Sequence, residues 1–135
     1  YGDGEQKRCF SYIDDCLSCM IPMLDQENLN KQIINIGPDE EFVTVNEVVK
    51  ICSNITGLNL EAIHKEDRPK EVKHATCSAD KARKLLNYKT KVSLKEGIKK
   101  TYDYIKKRGT KDFNYRLSIE IENDLTPVTW KNKEI

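Results

Sequence analysis

The chain has 135 residues, of which 33% are charged and 38% hydrophobic, and its formal net charge at pH 7 is +1. That balance fits one globular domain with a modest core rather than a disordered tract, and it supplies no global field for nucleic acid or an anionic membrane. No run approaches the roughly 18 apolar residues that a membrane-spanning helix needs, and the opening Tyr1-Gly2-Asp3 carries no signal-peptide pattern.

Five cysteines, Cys9, Cys16, Cys19, Cys52 and Cys77, form an odd set without framework spacing, which favours a reducing, cytoplasmic setting. In that setting the sequon Asn54-Ile55-Thr56 carries no sugar. The chain lacks an initiator Met and begins on a glycine turn with no preceding element, so it reads as a piece of something longer.

In chain order, Gly2-Asp3-Gly4-Glu5-Gln6 forms a turn that feeds a short strand through Arg8, Phe10 and Tyr12. Asp14 or Asp15 is the expected N-cap of the first helix, because a carboxylate there accepts orphan amide protons. Cys16, Leu17, Met20, Ile21 and Leu24 make its apolar stripe, and Pro22 is expected to kink or shorten it. Gln32-Ile33-Ile34-Asn35-Ile36 reads as a buried strand stopped by Gly37-Pro38.

Thr44-Val45-Asn46-Glu47 is a capping box, with Val45, Val48, Val49, Cys52 and Ile55 as the stripe behind it and Gly57 as the stop. Leu60 to His64 alternates like a short strand, and residues 66–77 form a polar loop. Ser78 is expected to cap a helix with Ala79, Ala82, Leu85 and Leu86 on one face. Ser93-Leu94-Lys95-Glu96 is a second capping box, and its helix ends at Lys106, Lys107, Arg108 and Gly109. Phe113 to Glu122 alternates like a strand with one buried face, and Thr126 to Ile135 reads as an extended tail. No internal repeat or low-complexity tract interrupts this pattern.

Two arginines stand out. Arg8 lies at a strand mouth beside a glycine turn, and Arg68 sits in Arg68-Pro69-Lys70-Glu71-Val72. A guanidinium fork meets phosphate bidentately, and two phosphates need two delocalised cations. From chemistry alone the plainer reading leads: a surface salt bridge from Arg8 to Asp14 or Asp15, and a solvated Arg68.

The order of motifs changes that balance. Gly2 to Asp15 resembles the "GxGxQxRxFxYVxD" segment of NAD-dependent nucleotide-sugar epimerases and dehydratases of the extended short-chain dehydrogenase/reductase type. Arg68-Pro69-Lys70-Glu71 resembles their "RPGE" loop, Cys77 to Tyr88 their "ADxxKAxxLLGY", and Ser93 to Thr101 their "SLxEGLxxT". The register holds from Tyr1 to about Gly109. The resemblance implies that Arg8 and Arg68 hold the diphosphate of a nucleotide-sugar and that Glu71 accepts hydrogen bonds from nucleotide hydroxyls, against simple solvation for Glu71. Lys70 stands where relatives often carry glycine, and Asn87 replaces the glycine of "LLGY".

Other candidates give way to plainer roles. Cys16-x-x-Cys19 lies on an apolar helix face without a second pair, so core packing is expected rather than a metal or redox site. His64 and His74 have no companion nucleophile and are expected to be exposed or locally bonded. The cluster Lys106, Lys107, Arg108 and Lys111 complements a helix C-terminus and lacks aromatic platforms for nucleic acid.

Two elements of the family's chemistry are missing. No strand–glycine-loop–helix cradles NAD, and no Tyr-x-x-x-Lys pair lies in an early helix; Tyr102 and Lys106 fall in the closing helix. The expectation is therefore α/β: a small substrate-binding lobe with a few short strands and about four helices, lacking the N-terminal Rossmann domain. Residues 1–109 form the lobe and 110–135 a strand and tail, for which pairing with a neighbour's edge is the rival role. The lobe carries no catalytic, cofactor or metal residue and is not expected to be active alone. The resemblance implies NAD on the missing half and a nucleotide-sugar partner, a UDP-sugar favoured, with no nucleic acid or membrane. A 4-epimerase is favoured over a 4,6-dehydratase or UDP-glucuronate decarboxylase, and a non-catalytic binding or oligomerisation module is the alternative of another class. An apolar face left by the missing half should drive self-association.

Overall fold

A computed structural model describes residues 1–111 and 122–133. Its elements in order are β1 (Lys7–Arg8), α1 (Ile13–Met20), β2 (Val43–Thr44), α2 (Val45–Thr56), β3 (His74–Ala75), α3 (Asp80–Leu86), α4 (Leu94–Arg108) and α5 (Val128–Lys131). The strands form one sheet in the order β2-β1-β3. The α/β expectation holds.

Strand β1 is the centre of that sheet. It runs antiparallel to β2, with Lys7 opposite Thr44, and parallel to β3, with Arg8 opposite Ala75. Two-residue strands cannot hold a sheet by their ladders alone. Flanking bonds extend the pairing: Gly2 N–H donates to Lys65 O at 2.8 Å, Lys7 N–H to Lys73 O at 2.8 Å and Val45 N–H to Gln6 O at 3.2 Å. Gly2 and Gly4 have φ of +63° and +74°, and a side chain at either would run into Asp67 or Asn46. The opening turn needs both glycines.

The helices follow their caps. Thr44 and Glu47 make the full reciprocal capping box of α2, and Gly57 closes that helix at φ +72°. At α4 the Ser93 hydroxyl accepts from Glu96 N–H at 3.3 Å, while the Glu96 carboxylate turns to Lys100 at 3.1 Å instead of completing a box. Asn87 ends α3 in the left-handed region, φ +53°, as the glycine it replaces would. Pro22 stops α1 and opens a single 3-10 turn over Pro22–Asp25.

Several expectations shift. The N-cap position of α1 is Tyr12, and its side chain makes no capping bond. Asp14 and Asp15 lie in the first turn, where Asp15 is buried and accepts from Lys91 N–H at 3.0 Å and Val92 N–H at 3.1 Å. Its carboxylate is recruited by the chain leading into α4, which outbids the local cap. The N-cap of α3 is Ala79 rather than Ser78, although the Ser78 hydroxyl still accepts from Asp80 N–H at 3.2 Å.

Residues 32–36 and 60–64 are not strands: a short apolar run or alternation alone supplies no ladder partner, and Ile33 and Ile63 are 86% and 83% exposed. Ile34 and Ile36 nonetheless pack against the core. The stretch Val128–Lys131 is one helical turn rather than extended chain, entered from Pro127, whose missing N–H costs nothing there. The alternating run from Phe113 falls mostly on residues 112–121, outside the described residues.

The core is small: Cys19, Leu29, Ala79, Ala82, Leu86 and Tyr88, with Met23, Ile34, Ile36 and Leu85 against it. Cys19 packs as the apolar helix face implied. A polar seam adds to it, as Arg83 of α3 pairs with Asp39, Glu40 and Asp80. The Asp39 carboxyl, which also accepts from Ala79 N–H, is held down to about 2, chiefly by the Arg83 hydrogen bond.

Asp15→Ala leaves two backbone amides without their acceptor in a nearly dry site. It should cost about 3 kcal/mol of unfolding free energy in a urea titration. A loss below about 1 kcal/mol would show that water replaces the carboxylate at no penalty.

Candidate functional site

The register of β1 decides where the predicted site residues meet. β1 carries Arg8, and its parallel partner β3 follows directly on the loop that holds Arg68 and Glu71. The loop is anchored at both ends against the opening turn: His64 Nδ1 lies 2.9 Å from Gly2 O, and Lys73 O accepts from Lys7 N–H. Arg8, Arg68 and Glu71 are thereby brought to one place.

Inside the loop, Glu71 N–H donates to Arg68 O at 3.2 Å, closing a four-residue turn with Pro69 and Lys70 in the middle. Proline fixes φ near −65° at the second position, and Lys70 has φ +60° at the third. That is a type II turn, whose third position favours glycine. Lys70 takes the glycine conformation despite its side chain, so the substitution leaves the turn intact and strained. The turn sets Glu71 beside Arg68 on one side and facing β1 on the other.

Glu71 is shared by both arginines. Its Oε1 accepts from Arg8 Nη2 at 2.6 Å, and its Oε2 accepts from Arg68 Nε at 2.7 Å and from Arg68 Nη2. The Glu71 side chain is 11% exposed. Arg8 therefore does not pair with Asp14 or Asp15, and Arg68 is not a freely solvated charge. Each guanidinium is held a second time: Arg8 Nη1 donates to Lys7 O at 2.8 Å, and Arg68 stacks over the Tyr1 ring at 4.7 Å from its centroid. These attachments leave hydrogens on Arg8 Nη1 and Nη2 and on Arg68 Nη1 available for an anion.

In formal charge the trio is two guanidinium groups against one carboxylate, a net +1. Two oriented cations with spare donors suit an anion with more than one acceptor group, and the shared carboxylate fixes their separation. The sequence missed Tyr1 as a platform for Arg68; the one available signal was an aromatic immediately before the glycine turn. The histidines are locally occupied, His64 at Gly2 O and His74 with its ring 6.0 Å from that of Phe42.

For a dinucleotide cofactor the described residues offer no glycine-rich strand-to-helix turn. The first-turn amides at α2 and α4 already serve Thr44 and Ser93.

Comparison with known proteins identifies the family. A family model described as GDP-mannose 4,6 dehydratase matches residues 1–101. The chain belongs to this family of NAD-dependent nucleotide-sugar epimerases and dehydratases. It is 32% identical over 106 residues to a UDP-glucuronate 4-epimerase of Thermodesulfobacterium geofontis, covering 78% of this chain and 32% of that protein. It is 28% identical over 130 residues to a UDP-N-acetyl-α-D-glucosaminuronate decarboxylase of Bacillus cytotoxicus, covering 92% of this chain and 36% of that one. Among solved structures, the UDP-glucuronic acid 4-epimerase of Bacillus cereus in complex with UDP-glucuronic acid and NAD superposes with a TM-score of 0.73 at 34% identity. That match covers 81% of this chain and 35% of the epimerase. The chain thus spans about a third of the length of its relatives.

Lys70→Gly should relieve the left-handed strain, worth roughly 1–2 kcal/mol for a residue with a Cβ, while costing about 0.5–1 kcal/mol in unfolded-chain entropy. The net expectation is a gain of up to about 1 kcal/mol in urea unfolding. A clear loss of stability would mean that the lysine side chain makes a contact the turn depends on.

Proposed function

We propose that this chain is the substrate-binding lobe of a nucleotide-sugar epimerase or dehydratase, with Arg8 and Arg68 clamping the substrate's diphosphate. The observation that carries the reading is the convergence of two guanidinium groups, from β1 and from a loop sixty residues later, on the single carboxylate of Glu71. Glu71 orients both forks, and it also fits as an acceptor for a nucleotide hydroxyl through the second lone pair of Oε1, since Oε2 already accepts twice from Arg68. A UDP-sugar 4-epimerase is the favoured whole enzyme. Its support is the likeness to 4-epimerases; a 4,6-dehydratase or a sugar-acid decarboxylase uses the same clamp.

In that reading NAD belongs to the portion of the relatives that this chain does not span. The lobe's contribution is positioning, holding the sugar where the other half performs the chemistry. The setting is cytoplasmic; among the described residues no helix is long and apolar enough to cross a membrane.

Titration calorimetry of the chain with UDP and UDP-sugars tests the clamp. Arg8→Ala and Arg68→Ala should each lose about 2 kcal/mol of binding, roughly thirtyfold in affinity, since each removes charge-assisted hydrogen bonds. Undetectable binding by a chain with native circular dichroism would defeat the claim that this lobe binds on its own.

One observation favours an assembly role beside binding. The face of α1 and the turn after it leaves Ile13, Met20, Ile21 and Leu24 between 52% and 83% exposed. An apolar surface of this kind is covered in a working protein, either by the Rossmann half or by a second copy. The isolated chain should self-associate in light scattering as concentration rises, and Ile21→Asp with Leu24→Asp should return it to monomer. A monodisperse monomer at millimolar concentration would contradict this role.

A further inference from the structure

Arg68 has a second neighbourhood that the diphosphate clamp does not use. Beside Tyr1 and Pro69 it lines a cavity of about 260 Å³ whose opposite wall is the C-terminal segment, through Asp124, Thr126 and Thr129. At about 30 Å³ per liquid water, that volume exceeds what a few ordered waters fill and suits one sugar ring. The family model ends at residue 101, before this wall.

Three properties narrow what the cavity takes. The Tyr1 hydroxyl is buried and has no hydrogen-bond partner among the described residues, a state that polar groups rarely keep without a ligand or water to meet them. The side chains that line the cavity include three carboxylates, Glu66, Asp67 and Asp124, against two cations, Lys65 and Arg68. A further phosphate is therefore disfavoured, whereas carboxylates, threonine hydroxyls and a phenol together suit the hydroxyls of an uncharged ring. Finally, Arg68 belongs to both places, so a ring in the cavity is covalently within reach of a phosphate on the clamp.

We propose that the C-terminal segment Asp124–Thr129 is part of the ligand site, forming the wall of a pocket for the hydroxyl-bearing ring esterified to the clamped diphosphate, with Asp124 as a hydroxyl acceptor. This rests on the diphosphate reading above and adds to it residues beyond the stretch that the family model matches. The pocket selects the ring, and the arginines hold the phosphates. Ribose from the nucleotide side and a hexose from the sugar side share this chemistry.

Hydrogen exchange of the 135-residue chain with three probes separates the possibilities: inorganic pyrophosphate, UDP and glucose 1-phosphate. Amides in residues 122–133 should exchange at least fivefold more slowly with UDP or with glucose 1-phosphate, and whichever does so identifies the ring; pyrophosphate alone should leave them unchanged. Asp124→Asn should weaken the protecting ligand at least fivefold, and more than it weakens pyrophosphate. If pyrophosphate binds but neither ring-bearing phosphate slows residues 122–133, the clamp stands and the pocket is refuted. Equal protection by all three probes refutes it too. If a folded chain binds none of the probes, the diphosphate clamp fails and the pocket fails with it.

Discussion

Everything at the site depends on one carboxylate serving two arginines. A carboxylate only 11% exposed is costly to keep charged unless it is paired, and here both oxygens are taken. Glu71 thereby converts two long, flexible side chains into a fixed pair. Conformational entropy is the usual tax on arginine recognition. Each fork is anchored before an anion arrives: Arg8 at Lys7 O, Arg68 on the Tyr1 ring, and both at Glu71.

That arrangement is inherited from backbone geometry rather than from a large core. The loop carrying Arg68 and Glu71 contributes little buried apolar surface; it is held by bonds to the opening turn and to β1 and by its own type II turn. The buried apolar cluster lies elsewhere, between α1 and α3, with Asp15 tying it to the chain before α4 and Arg83 tying α3 to Asp39 and Glu40. Polar bonds here do work that a larger domain would leave to packing. Because such bonds leave little margin when a partner is removed, a single lost acceptor is a large fraction of the stability available.

Much of this was legible in the residues, for identifiable reasons. Capping boxes and stop residues are local, so Thr44-Glu47, Gly57 and Asn87 do what their chemistry implies. The three proposed binding residues do meet, because motif order carries information about non-local register that no single stretch contains. What local pattern misplaced was decided at long range. Asp15 leaves the cap for two amides more than seventy residues away. Ile33 lies in an apolar run stopped by Gly37-Pro38 and Ile63 in a short strand-like stretch, yet neither finds a strand to pair with, and local pattern cannot report a missing partner. Val128 to Lys131 looked extended beside Pro127, although proline is also a good residue to enter a helix.

The central position of β1 has a consequence for how a longer protein is put together. Both sides of Lys7–Arg8 are already paired, antiparallel to β2 and parallel to β3, so the strand bearing Arg8 has no open edge. Any additional strand must attach at the outer side of β2 or of β3. Growth at either rim extends the sheet without inserting between the arginine and the loop that completes its site. The pairing of Arg8, Glu71 and Arg68 can therefore be carried from one architecture to another as a sealed unit, with new domains added around it rather than through it.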